Sequence, residues 1–168
     1  SVLVKTTMEN NFCLTAEQLE EAITPNTKLL MLCTPNNPTG SVYTYENLKA
    51  IVEVLNKHPQ IIVLADEIYQ HILYTGKHET LAQFPELQDR LIIINGVSKA
   101  YAMTGYRIGW LACHDKDFIT AVKRLQGQTI SCATTIAQKA AEAAYSGPQE
   151  CVEEMRQAFQ RRRDLIVK

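Results

Sequence analysis

Four runs in this chain are apolar at nearly every position: Leu29-Leu30-Met31-Leu32, Ile61-Ile62-Val63-Leu64-Ala65, Leu91-Ile92-Ile93-Ile94 and, more weakly, Ile108-Gly109-Trp110-Leu111-Ala112. Between them apolar residues recur three and four apart, the period of one helix face. Thr15-Ala16-Glu17-Gln18 matches a capping box, so a helix begins near Ala16 with Leu19, Ala22 and Ile23 as its apolar set. Thr44 caps a second, carrying Leu48, Ile51, Val52 and Leu55, which Pro59 stops. Asp115 or Asp117 opens a third through Phe118, Val122 and Leu125, and an alanine-rich helix runs from about Thr134 to Tyr145. A last one follows Gly147-Pro148, with Val152, Met155, Ala158, Phe159, Leu165 and Ile166 on one face. Val2-Leu3-Val4 reads as a further strand. Runs apolar at every position predict strands buried on both faces, as in a parallel sheet between helices. The expected class is α/β, a mainly parallel sheet flanked by helices.

No repeat, low-complexity stretch or flexible linker interrupts residues 1–147, so they are expected to form one domain, with 148–168 a helix leading toward a further region. The chain opens without methionine directly on the strand-like run, and its last helix shows no stop signal before Lys168. Both features suggest a portion of a longer protein.

The 168 residues suit a single domain, and 46% hydrophobic with 21% charged residues is an ordinary globular balance. Seventeen basic against eighteen acidic side chains leave a formal charge of -1. That lacks the basic surplus that binding a phosphate backbone requires, so nucleic acid is not an expected partner. No apolar run nears the roughly 20 residues that span a bilayer, and no signal-peptide pattern opens the chain. A soluble, cytoplasmic protein is expected. The five cysteines are scattered without a Cys-x-x-Cys pair, and the four histidines show no His-x-x-x-His spacing. Neither disulfides nor a metal site is predicted. Arg161-Arg162-Arg163 points around a helix and reads as a solvated face.

Each main apolar run ends in a polar cluster: Thr34-Pro35-Asn36-Asn37-Pro38-Thr39-Gly40, then Asp66-Glu67-Ile68-Tyr69, then Asn95-Gly96-Val97-Ser98-Lys99. Ligands in open α/β sheets bind outside the carboxyl ends of the strands, where such loops gather. A phosphate loop, a dinucleotide fingerprint and a Gly-x-Ser-x-Gly elbow are all missing from the sequence, which removes the commoner enzyme classes of this architecture. Lys99 sits where its ammonium would be partly desolvated, a condition that favours the neutral amine able to attack a carbonyl. An isolated lysine would simply reach solvent. Combined with the Asp66 carboxylate and the Arg107 guanidinium, it gives the three complements of pyridoxal phosphate: an amine for the aldehyde, an acid for the pyridinium and a cation for the phosphate.

These residues resemble those of the fold-type I pyridoxal-phosphate aminotransferases, in the class I and II branch that includes aspartate aminotransferase. The resemblance rests on Pro35-Asn36-Asn37-Pro38-Thr39-Gly40, on Asp66-Glu67-Ile68-Tyr69 and on the stretch from Ser98-Lys99 through Gly105-Tyr106-Arg107 to Gly109-Trp110, in the family's order and at family-like separations. It covers nearly the whole chain and identifies it as the middle of the family's large domain.

The resemblance implies a role for each residue. Lys99 would bond to the cofactor's aldehyde and later serve as the base at the substrate α-carbon. Asp66 would hold the pyridinium proton. Tyr69 and Asn37 would hydrogen-bond the ring's phenolate oxygen, Asn37 also lying near the substrate carboxylate. Arg107 would pair with the phosphate and Ser98 would lie near it. Gly96 stands where part of the family has a phosphate-binding serine. Tyr101 and Tyr106 are expected to pack, and Glu67 to point away from the ring with no catalytic role. The expected reaction moves an amino group between an L-amino acid, aspartate first, and 2-oxoglutarate, in a homodimer whose full-length chain carries further phosphate- and carboxylate-binding regions. The alternatives are another reaction of the same cofactor, such as C–S elimination, and a non-catalytic α/β fragment.

Overall fold

The computed structural model describes residues 1–167 and follows the predicted element order closely. Helices α1 (Ala16–Ala22), α2 (Tyr45–Asn56), α3 (Lys116–Thr129), α4 (Thr135–Ser146) and α5 (Glu150–Ile166) alternate with or follow strands β1 (Leu29–Cys33), β2 (Ile62–Asp66), β3 (Leu91–Gly96) and β4 (Gly109–Ala112). The strands form one sheet in the order β1-β2-β3-β4, and the β1/β2 and β2/β3 pairs are parallel. A mainly parallel sheet with flanking helices is therefore the observed architecture.

Helix starts obey the predicted chemistry. Thr15 Oγ1 accepts the Gln18 amide at 3.2 Å while Gln18 Oε1 accepts the Thr15 amide at 3.1 Å, so two otherwise orphaned donors are satisfied reciprocally. Thr44 and Asn47 make the same exchange at the start of α2. Thr134 caps α4 through the Ala137 amide.

The chain divides into two units. The first comprises Ser1–Glu67, Glu79–Ile94 and Leu111–Asp115; the second comprises Ile68–His78, Asn95–Trp110 and the residues from Lys116 onward. In the first, Leu48, Ile51 and Leu55 of α2 are fully buried, in one core with Leu19 of α1, Leu32 of β1 and Val63 and Ala65 of β2. Each such leucine, isoleucine or valine side chain contributes roughly 1.5–3 kcal/mol on burial.

Two sequence expectations change here. Within this chain one face of β1 and β2 is incompletely covered: the register sets Leu29 beside Ile62 and Met31 beside Leu64, and Leu29, Met31 and Ile62 are 46%, 69% and 42% exposed while Leu64 is half-buried. Residues 2–4 form no strand. Leu3 is 94% exposed, and only Val4 of the three packs against the core, so β-propensity without a paired neighbour leaves this run irregular.

Candidate active site

In the first unit β1 and β2 end together, because Cys33 pairs with Asp66 in register. The Thr34 amide then donates to the Asp66 carbonyl at 3.0 Å, so the loop after β1 departs directly beside the end of β2. The half-buried Cys33 thiol is pushed up by burial first and by the Asp66 charge second, which places its sulfur in the field of that carboxylate. The loop is held by its own bonds: Asn36 N to Ser41 O and Gly40 N to Asn36 O, both 2.9 Å, and Thr39 Oγ1 to Asn36 Oδ1 at 2.9 Å. Gly40 takes φ +71°, the left-handed region that glycine occupies without penalty. The Asn36 side chain is thus engaged in the turn, while Asn37 stands exposed beside it.

Asp66 is half-buried, and its neighbour Glu67 is 3% exposed and accepts the Thr80 hydroxyl at 2.7 Å. What the sequence did not reveal is that Glu67 is buried and paired with Thr80.

In the second unit β3 ends at Gly96, whose amide donates to Asn95 Oδ1 at 2.7 Å. A turn follows, in which Tyr101 N donates to Val97 O and Ala102 N to Lys99 O, both at 3.3 Å. Ala102 adopts φ +53° as the turn closes. This turn carries Ser98 and Lys99, both half-buried. The Lys99 ammonium lies 5.5 Å from the centre of the Tyr69 ring, within the range of a cation–π contact. The structure therefore brings together Lys99 and Tyr69, which the sequence separates by a whole strand and its approach.

Arg107 is exposed and has φ +55°, a left-handed conformation that costs an L-residue roughly 1–2 kcal/mol. Its Nη1 donates to the Thr104 carbonyl at 3.0 Å, which turns the guanidinium back over its own loop. It borders a cavity of about 560 Å³ shared with Tyr106, Cys132 and Thr134. Tyr106, expected to pack, is 48% exposed on that cavity. Tyr101 does pack: its ring meets Tyr145 edge-on with centroids 5.3 Å apart, and its hydroxyl donates to Gln149 at 2.8 Å.

Gly105 has open space where a β-carbon would stand, whereas one on Gly96 would meet Ile108 O at 2.7 Å. The close backbone approach thus falls at Gly96. Among the described residues no group of three or more His, Cys, Asp or Glu side chains could hold a metal ion, and no helix is long and apolar enough to cross a membrane.

The family model for class I and II aminotransferases matches residues 2–168. The chain belongs to this family. It is 50% identical over 167 residues to the aspartate aminotransferase of Geobacillus stearothermophilus, covering 98% of this chain and 42% of that protein. It is 49% identical over 168 residues to the aspartate/prephenate aminotransferase of Cereibacter sphaeroides, covering 99% and 42%. The crystal structure of the aspartate aminotransferase from Rhizobium meliloti superposes with a TM-score of 0.95 at 45% identity, over 99% of this chain and 42% of that one. The fold is thus the aminotransferase fold, and the chain spans about 42% of the length of these family members.

Proposed function

We propose that this chain holds pyridoxal 5'-phosphate and serves amino-group transfer between an L-amino acid and a 2-oxo acid, with aspartate and 2-oxoglutarate as the first pair to test. The observation that carries the reading is the half-buried Lys99 amine on the turn after β3, over the Tyr69 ring, in a chain of aminotransferase ancestry. The donor set fits the group: a primary amine for its aldehyde, the Asp66 carboxylate for its ring nitrogen and the Arg107 fork for its phosphate.

When bound, the cofactor supplies a protonated aromatic ring that absorbs the electron pair left at the substrate α-carbon. The chain supplies the rest. Lys99 would provide the amine that holds the aldehyde and would take and return a proton at the substrate α-carbon. Asp66 keeps the proton on the ring nitrogen. Tyr69 and Asn37 donate to the phenolate oxygen, Asn37 also serving the substrate carboxylate. Arg107 and Ser98 hold the phosphate. The names of the relatives support aspartate as donor. In the whole protein we expect a homodimer with a further region beyond residues 148–168, and the five free cysteines suit a reducing compartment such as the cytoplasm.

The test mixes the chain with pyridoxal phosphate, reduces it with borohydride and maps the labelled lysine. Label concentrated on Lys99 and lost in Lys99→Ala is the expected result. Label distributed over exposed lysines, with none at Lys99, overturns the reading.

A further inference from the structure

We infer that Glu67 is a positioning residue: with Thr80 it fastens together the two feet of the segment that carries Tyr69. The inference rests on the reading above that Tyr69 contacts the cofactor ring. The chain leaves the first unit after Glu67 and re-enters it at Glu79, and the intervening Ile68–His78 belongs to the second unit. Glu67 and Thr80 therefore stand at the two ends of an excursion, and Thr80 Oγ1 donates to Glu67 Oε1 across its base at 2.7 Å.

Both feet are themselves anchored. The Glu67 amide donates to Ile94 O at 2.9 Å, fixing one foot to β3. The Thr80 hydroxyl also accepts the Ala82 amide at 3.1 Å, ordering the short 3-10 turn Leu81–Gln83, whose Leu81 is completely buried. Tyr69 is two residues from the first foot, and its carbonyl accepts the Ile72 amide at 2.8 Å. Only a short, internally bonded stretch thus separates the fastening from the ring beneath Lys99.

A buried carboxylate is a poor device for bulk stability, since an apolar residue of similar size usually serves as well or better. A buried hydrogen bond between distant chain positions does fix one geometry, which is what a ring partner for a cofactor needs. Glu67 is 3% exposed, so this bond forms largely away from water.

The experiment uses the chain without cofactor and reads amide hydrogen exchange by mass spectrometry in Thr80→Val, with Thr80→Ser as the conservative rescue. The inference expects exchange in Ile68–His78 to quicken about tenfold in Thr80→Val, to hold its wild-type rate in β2, and to return to normal in Thr80→Ser. Unchanged exchange in the segment, equal quickening in β2, or failure of serine to rescue overturns it. If Thr80→Val does not fold, Thr80→Cys, which keeps the size but donates weakly, carries the same comparison. Borohydride trapping of pyridoxal phosphate in the same variants separates the two readings: an unlabelled wild-type Lys99 sinks the cofactor assignment, while the exchange pattern still decides the fastening. If Lys99 is labelled, Thr80→Val should lower the yield severalfold and Thr80→Ser restore it, and equal yields in all three chains would overturn the positioning role.

Discussion

Gly96 and Gly109 stand so close that a β-carbon built on Gly96 would lie 2.9 Å from the Gly109 α-carbon and 2.7 Å from the neighbouring Ile108 carbonyl oxygen. Both obstacles are backbone, so no side-chain rotation relieves them. Gly96→Ser should therefore destabilise the chain by about 1–3 kcal/mol, an overpacking cost, instead of adding a phosphate ligand. The comparison to make is the urea midpoint together with pyridoxal phosphate affinity. A serine variant of wild-type stability and tighter binding would show that β3 and β4 can part at this point.

Arg107 pairs an exposed guanidinium with a left-handed backbone. Its conformation favours glycine, whereas its proposed task requires a cation. Arg107→Gly should leave the urea midpoint at or slightly above wild type, the relief of strain offsetting the extra freedom of the unfolded chain. Affinity for pyridoxal phosphate should fall at least tenfold. Arg107→Val, β-branched in the same conformation, should lose both stability and affinity. A glycine variant that unfolds as readily as the valine variant would show that the Thr104 contact outweighs the strain.

The elements of this fold were legible because their signals are local. The Thr15/Gln18 and Thr44/Asn47 exchanges mark helix starts by residue type and spacing, and the apolar runs mark strands by length. The residues proposed for the site were singled out by composition: an amide, a carboxylate, a phenol and an amine in the loops after three strands, with the Arg107 guanidinium ahead of β4. Three features were not legible. The exposure of Leu29 and Met31 in this chain, which spans about 42% of its relatives' length, could not be foreseen from a run that is apolar on both faces. The demand for glycine at Gly96 comes from the backbone of a strand that follows much later. The Glu67–Thr80 bond joins residues 13 apart, and nothing near either one announces the other.

Thr44 offers a measure of what a local signal contributes. Its hydroxyl accepts the Asn47 amide at 3.2 Å, and Asn47 Oδ1 accepts the Thr44 amide at 3.1 Å. Removing the first of these in Thr44→Ala should cost about 1 kcal/mol, read as a lowered urea midpoint with an unchanged slope. Thr44→Ser should recover most of it. A serine variant as weak as alanine would mean that packing of the threonine methyl, not the cap, supports α2.

Tyr43 supplies the pH dependence. Its ring is 4% exposed, and its hydroxyl oxygen accepts the Leu14 amide at 2.6 Å, joining the start of α2 to the chain that leads into α1. Burial is the main cause that pushes the phenol up, to about 12 from its usual 10, with the Leu14 amide working in the opposite direction. The folded chain therefore binds this proton more tightly than the unfolded one. The associated stability is fully present below pH 10 and drains away as pH climbs toward 12, by about 2 kcal/mol. Tyr43→Phe should remove that slope. It should also lower stability at neutral pH by about 1–3 kcal/mol, because the buried Leu14 amide loses its acceptor. Since lysines and the other tyrosines titrate in the same window, the quantity to follow is the difference in urea-derived stability between the two chains from pH 7 to 12. The gap should shrink as pH rises through the window and could reverse. A gap that stays constant would mean the Tyr43 phenol ionises as readily in the folded chain as in the unfolded one.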